Sequence, residues 1–136
     1  MASTNPDTDP LAAGMVIRRK VLGDAHVDRA IASTNSLTED FQNLITRYAW
    51  GEIWARPGLD VRTRRTLVIG TLVALSQWEE LAMHVRAALA AGDLSANEVK
   101  EIVLQQAIYC GVPAANAAFR VVGDVITAIN APSREK

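Results

Sequence analysis

The chain has 136 residues with 14 basic and 15 acidic side chains, a formal net charge of −1, so nothing in its charge recommends nucleic acid or an anionic membrane as a partner. Its 49% hydrophobic residues suffice for the core of one domain. A single cysteine, Cys110, excludes an intrachain disulfide and a Cys-rich zinc site, and two well-separated histidines, His26 and His84, leave no convincing metal ligand set.

In chain order, residues 1–10 are polar, contain Pro6 and Pro10, and predict a flexible tail with neither the basic nor the apolar region of a signal peptide. A first helix is expected over residues 11–22, stopped by Gly23, and a short second one over 25–32. After a Ser/Thr/Asn loop at 33–36, a third helix is expected from Thr38 to Trp54. Phe41, Leu44, Ile45 and Tyr48 recur on it at i, i+3, i+4 and i+7, the spacing of a core-facing stripe, while Arg47, Trp50 and Trp54 share another face. Asp60 is a suitable N-cap for a fourth helix. Its body, residues 67–75, is apolar on nearly every side, which predicts burial all round; its β-branched content would also suit a strand, but no strand partner exists elsewhere. That apolar run is the longest in the chain and falls short of the ~20 residues that span a bilayer, so with a free thiol and no export signal the reading is cytoplasmic.

Ser76-Gln77-Trp78-Glu79 fits a capping box, with a helix over 77–91 closed by Gly92. Ser95-Ala96-Asn97-Glu98 is a second box opening the next helix, which ends at Gly111. Pro113 suits the first turn of the last helix, which runs to about residue 129 before a tail at 131–136. Six or seven helices without a strand make the chain all-α, a single domain over 11–130. Two strongly apolar helices in so short a chain carry more apolar surface than one small domain covers, which predicts a homo-oligomer.

No dinucleotide fingerprint, P-loop, zinc-protease motif or nucleophile elbow is present. The compact candidate for chemistry is Glu80 with His84. At i and i+4 they share one helix face, and a carboxylate beside an imidazole favours the imidazolium and orients the ring, as a proton donor near neutral pH requires. The same spacing also describes a surface ion pair or a core histidine with a satisfied hydrogen bond. Arg62, Arg64 and Arg65 crowd a helix start, where the macrodipole disfavours cations; an anionic ligand or acidic neighbours would offset this. Arg47, Trp50 and Trp54 form either a pocket wall whose cation holds a carboxylate or an aromatic packing face with a snorkelling arginine. Glu79 reads as part of the capping box, His26 as structural or interfacial, and Cys110, at a helix C-terminus, as buried and inert.

Four stretches carry a resemblance: VLGDAHVDRA from Val21, FQNLITRYAWGEIWARPGL from Phe41, EELAMHVRAAL from Glu79 and LQQAIYCGVPAANAAF from Leu104. With the segments between them they cover nearly all of residues 15–125, and the chain resembles the carboxymuconolactone decarboxylase family of protocatechuate catabolism. The resemblance implies the all-helical bundle of the alkylhydroperoxidase-like superfamily and assembly into trimers or hexamers. It also implies cofactor-free decarboxylation of γ-carboxymuconolactone, a lactone dicarboxylate, to β-ketoadipate enol-lactone. It favours His84 and Glu80 as the catalytic pair; Arg47, Trp50, Trp54, Arg64 and Arg65 are substrate-binding candidates on the residue chemistry above, not on the resemblance. Where the peroxidase branch has two thiols ahead of its histidine, this chain has Gln77 and Glu80, so dithiol chemistry is absent. Trp78 stands where a smaller residue is expected, which opens the alternative of a related lactone or β-keto acid decarboxylase; a non-catalytic oligomeric domain is the other alternative.

Overall fold

A computed structural model describes residues 9–132, and all its regular elements are helical. The helices are α1 (Pro10–Leu22), α2 (Asp24–Ala32), α3 (Glu39–Ile45), α4 (Val61–Ala74), α5 (Trp78–Ala91), α6 (Ala96–Cys110) and α7 (Val112–Asn130); α3 continues as a π-helical segment, Thr46–Trp54. The expected all-α class holds. The chain divides into two compact units, the first ending at Val61 and the second beginning at Arg62.

In the first unit, α1 starts one residue earlier than expected. Asp9 is its N-cap, its carboxylate accepting from the Leu11 amide at 3.0 Å, and Pro10 occupies the first turn, where a missing N–H costs nothing. The rest of the expected N-terminal tail, residues 1–8, and residues 133–136 of the C-terminal one lie outside the described residues. Helix α1 packs tightly along the π-helical segment. A Cβ on Gly14 would run into the Thr46 carbonyl oxygen, and one on Gly51 would come within 2.7 Å of the Pro10 carbonyl oxygen, so only glycine permits this approach.

The third helix departs from expectation. Its α-helical turns end at Ile45, and the wider π turn beyond shifts the phase of the side chains. Thr46 sits at the junction, its hydroxyl donating back to the Gln42 carbonyl at 2.7 Å, an arrangement that bends helices. The inward residues are therefore Thr46 and Trp50. Phe41, Leu44 and Tyr48 of the expected core stripe are exposed, and Ile45 is half-buried.

The second unit holds one continuous apolar core. Ile69 and Val73 of α4 join Leu81, Val85 and Ala88 of α5, Val99 and Val103 of α6, and Ala115, Ala118, Val122 and Val125 of α7. These positions recur every three or four residues, so each helix buries one face. That holds for α4 too, against the expectation of burial all round: Arg65, Ile69, Gly70 and Val73 are buried, whereas Leu67, and Leu75 just past its end, stand in solvent. By length and composition α7 is apolar enough to cross a bilayer, which the longest uninterrupted apolar run does not reveal; four of its residues belong to this core.

The connections follow cap chemistry. Ser95 and Glu98 form the expected capping box, with reciprocal bonds of 3.1 and 3.0 Å. The expected box at Ser76 does not form. Ser76 adopts φ 55°, its amide donates to the Val73 carbonyl at 3.2 Å, and the Gln77 amide donates to the Leu72 carbonyl at 3.0 Å. That is a Schellman ending of α4 with serine in the left-handed position glycine usually takes. A residue so used cannot adopt the extended backbone of an N-cap, so α5 starts at Trp78 behind Gln77.

Candidate active site

The first two turns of α5 carry the central pair. Glu79 and Glu80 lie in its first turn, where the unbonded amide groups favour negative charge. His84 follows Glu80 by one turn. Leu81, Val85 and Ala88 fix this helix in the core, so position 84 borders the buried face: His84 is 8% exposed, while Glu80 is exposed. A buried imidazole with a carboxylate one turn nearer solvent is an arrangement that can hold and deliver a proton.

Trp78 projects elsewhere. It packs against the core and, with Glu79, Ala82, Arg86 and Asp124, lines a cleft of about 320 Å³ between α5 and α7. A second cleft, of about 550 Å³, runs between α4 and α6 and is lined by Thr66, Thr71, Glu101 and Gln105, with Gln106 donating to the Gly70 carbonyl at 2.9 Å. Glu80 and His84 line neither.

The arginines at the start of α4 have acidic neighbours. Arg62 pairs with Glu98 and donates to the Asp93 carbonyl at 3.3 Å. Arg65 is 1% exposed, and its Nε donates to Asp93 Oδ2 at 2.8 Å; both its terminal nitrogens are shut from solvent without a hydrogen-bond partner among the described residues. Asp93 and Glu98 thus offset the macrodipole penalty, and Arg65 clasps α4 to the α5–α6 turn. Arg64 is half-buried. Arg47, Trp50 and Trp54 belong to the first unit, where the indoles of Trp50 and Trp54 stack at 5.2 Å between ring centroids with a 32° tilt, Trp50 is buried and Arg47 is exposed. A tilted pair at this separation is a favourable aromatic packing geometry.

Similarity to known proteins bears on this constellation. The model of the carboxymuconolactone decarboxylase family matches residues 39–124. A 4-carboxymuconolactone decarboxylase of Acinetobacter baylyi is 44% identical over 112 residues, 82% of this chain and 83% of that protein. The chain belongs to the carboxymuconolactone decarboxylase family. A nitrosuccinic acid decarboxylase of Metarhizium robertsii is 38% identical over 83% of this chain and 78% of its own length, and a 4-carboxymuconolactone decarboxylase of Pseudomonas putida is 55% identical over 40 residues, 29% of this chain and 83% of its own length.

The stretch this decarboxylase-family member shares with the family model runs from α3 into α7 and holds all seven candidate residues. Among the described residues no group of three His, Cys, Asp or Glu side chains is placed to hold a metal ion. Cys110 is half-buried at the end of α6.

Outside that stretch lies a residue that pattern reading passed over. Arg18 of α1 is 5% exposed, its Nη1 donating to Thr46 Oγ1 at 3.2 Å and its Nη2 to Gln42 Oε1 at 3.0 Å. Burial, with the adjacent Arg19 charge, holds its guanidinium below its ordinary pKa. The signal was present: Gly14, Arg18, Val21 and Leu22 fall at i, i+4, i+7 and i+8, so an arginine occupies a buried-face position.

Proposed function

We propose that the protein is a γ-carboxymuconolactone decarboxylase acting without a cofactor. The observation that carries this reading is 44% identity, across more than four fifths of both chains, to a protein of that name. In the reaction, the bond between the ring carbon and its carboxylate breaks and carbon dioxide leaves. The electron pair passes through the ring alkene to the lactone carbonyl, giving a dienolate, and a proton is then added at the carbon α to that carbonyl. The substrate is its own electron sink, so the protein has to hold the acetate arm, steady the enolate oxygen and deliver the proton. His84 delivers the proton or steadies the enolate, and Glu80 orients it. A guanidinium suits the retained carboxylate; Arg47, which is exposed, and Arg64, which is half-buried, remain candidates for it, whereas Arg65 is enclosed with Asp93.

The similarity to a nitrosuccinic acid decarboxylase favours a second reading. Nitrosuccinate and γ-carboxymuconolactone share a succinate skeleton, in which the carbon that loses carbon dioxide also bears a carboxymethyl arm and an electron-accepting group. The two readings separate in one assay. Purified protein is expected to bleach the conjugated-lactone absorbance of γ-carboxymuconolactone with release of carbon dioxide, and to do so with higher kcat/KM than it shows on nitrosuccinate. The reverse order would install the second reading, and turnover of neither would overturn both, leaving a decarboxylase of another lactone or β-keto acid or a non-catalytic member of the fold.

The working form we propose is a cytoplasmic homo-oligomer, a trimer or hexamer. Leu67 of α4, Leu75 just after it, Leu104, Ile108 and Tyr109 of α6, and Val112 of α7 stand exposed, Ile108 and Tyr109 at 80% each, and such side chains favour burial between subunits. Light scattering is expected to give a multiple of the 14.7 kDa chain mass; a monomer at micromolar concentration would overturn this.

A further inference from the structure

The first unit contains a cleft of about 560 Å³ whose lining includes neither Glu80 nor His84, and Arg18 lies in its wall. The guanidinium is buried, and the acceptors it has found, the Thr46 hydroxyl and the Gln42 amide oxygen, are both neutral. Its Nε is enclosed without a hydrogen-bond partner, and no carboxylate oxygen lies within ion-pair distance among the described residues. A buried cation without a counter-charge is an expensive arrangement, and its depressed pKa reflects that. Arg65, the other buried arginine among the described residues, does not share it, since it has Asp93.

The cleft around Arg18 is suited to one kind of anion. Asn35, Asn43 and Thr34 supply neutral hydrogen-bonding groups, and Met15 and Ile31 supply an apolar wall. Glu39 also lines the cleft and is exposed. Its charge works against a phosphate or sulfate dianion more than against a single carboxylate.

We propose that this cleft is a binding site for a small aliphatic carboxylic acid, its carboxylate on Arg18 and its hydrocarbon body against Met15 and Ile31. A carboxylate takes the N–H groups that Thr46 and Gln42 leave over on Nη1 and Nη2 and supplies the missing charge. Met15, Arg18 and Ile31 lie before the stretch matched by the family model, while Glu39, Gln42 and Thr46 lie within it; neither Glu80 nor His84 lines the cleft, and the proposal does not rest on the decarboxylase reading.

Butyrate is the probe, with NMR of the full-length protein as the readout. Butyrate is expected to shift the side-chain amide resonances of Asn35, Gln42 and Asn43 saturably, with a Kd of roughly millimolar order. Arg18→Met should weaken this at least about tenfold. Because Arg18 also joins α1 to the π-helical segment, that variant has a companion. Ile31→Trp fills the cleft from an exposed position without touching the clasp; it should weaken butyrate equally while melting temperature and helicity stay unchanged. Absence of a saturable shift in the folded wild type, or undiminished binding by Ile31→Trp, would overturn the site. Inorganic phosphate producing the same shifts at the same affinity would overturn its assignment to carboxylates.

Discussion

His84→Ala is expected to lower turnover of γ-carboxymuconolactone by ~10²-fold or more, the usual loss when a positioned acid is removed, equivalent to ~2.7 kcal/mol in the barrier. The loss should fall on kcat, because the proton is delivered after carbon dioxide begins to leave and the imidazole acts on charge that exists only then. The competing possibility is that a buried histidine on the core-facing side of α5 is structural. Truncating it there leaves a space beside Leu81, Val85 and Ala88, so melting temperature would drop while turnover per folded subunit held. Measuring both quantities on the same preparation separates the two, and unchanged turnover removes His84 from the chemistry.

Glu80→Gln tests the positioning role beside it. Glu80 is exposed in the first turn of α5, so its loss should do little to folding. If it orients the imidazole, Glu80→Gln should lower kcat with KM and melting temperature near those of the wild type. A glutamate with no part in positioning His84 would leave kcat unchanged.

What the sequence made legible follows how local each signal is. Gly23, Gly92 and Gly111 end helices where expected, and the Ser95–Glu98 box forms, because these devices need only a few neighbouring residues. Glu80 and His84 share a face of α5 for the same reason. The failures depend on packing at a distance. Ser76 and Glu79 have the spacing of a capping box, but the preceding helix requires Ser76 as its left-handed terminus. The stripe at Phe41, Leu44 and Tyr48 presumes a constant helical period, which the π turns after Ile45 break. The burial of Arg18 was readable from its place on the face of α1, but its partners, Thr46 and Gln42, are set by the tight approach that Gly14 and Gly51 allow. Similarly, Arg65 belongs to a conspicuous basic cluster, while its partner Asp93 is 28 residues away in a turn with no motif to mark it.

That separation makes Asp93→Ala the substitution expected to cost the most stability. Arg65 is 1% exposed and Asp93 is its one carboxylate among the described residues. Removing the aspartate strands a guanidinium in the interior, and breaking a buried pair from one side costs about 3 kcal/mol or more. Arg65→Met should cost less, because it removes the buried charge itself and keeps most of the side chain's volume, while Asp93, 37% exposed, can turn to water. The double variant should then resemble Arg65→Met alone, since once the charge is gone the aspartate has little left to do. Urea unfolding midpoints of the three variants check the order, and an Arg65→Met protein weaker than Asp93→Ala would refute the clasp. The same proteins bear on the site. If Arg65 instead held a substrate carboxylate, Arg65→Met would lower kcat/KM sharply in a protein of near-normal stability, the opposite division from that of a clasp buried between α4 and the α5–α6 turn.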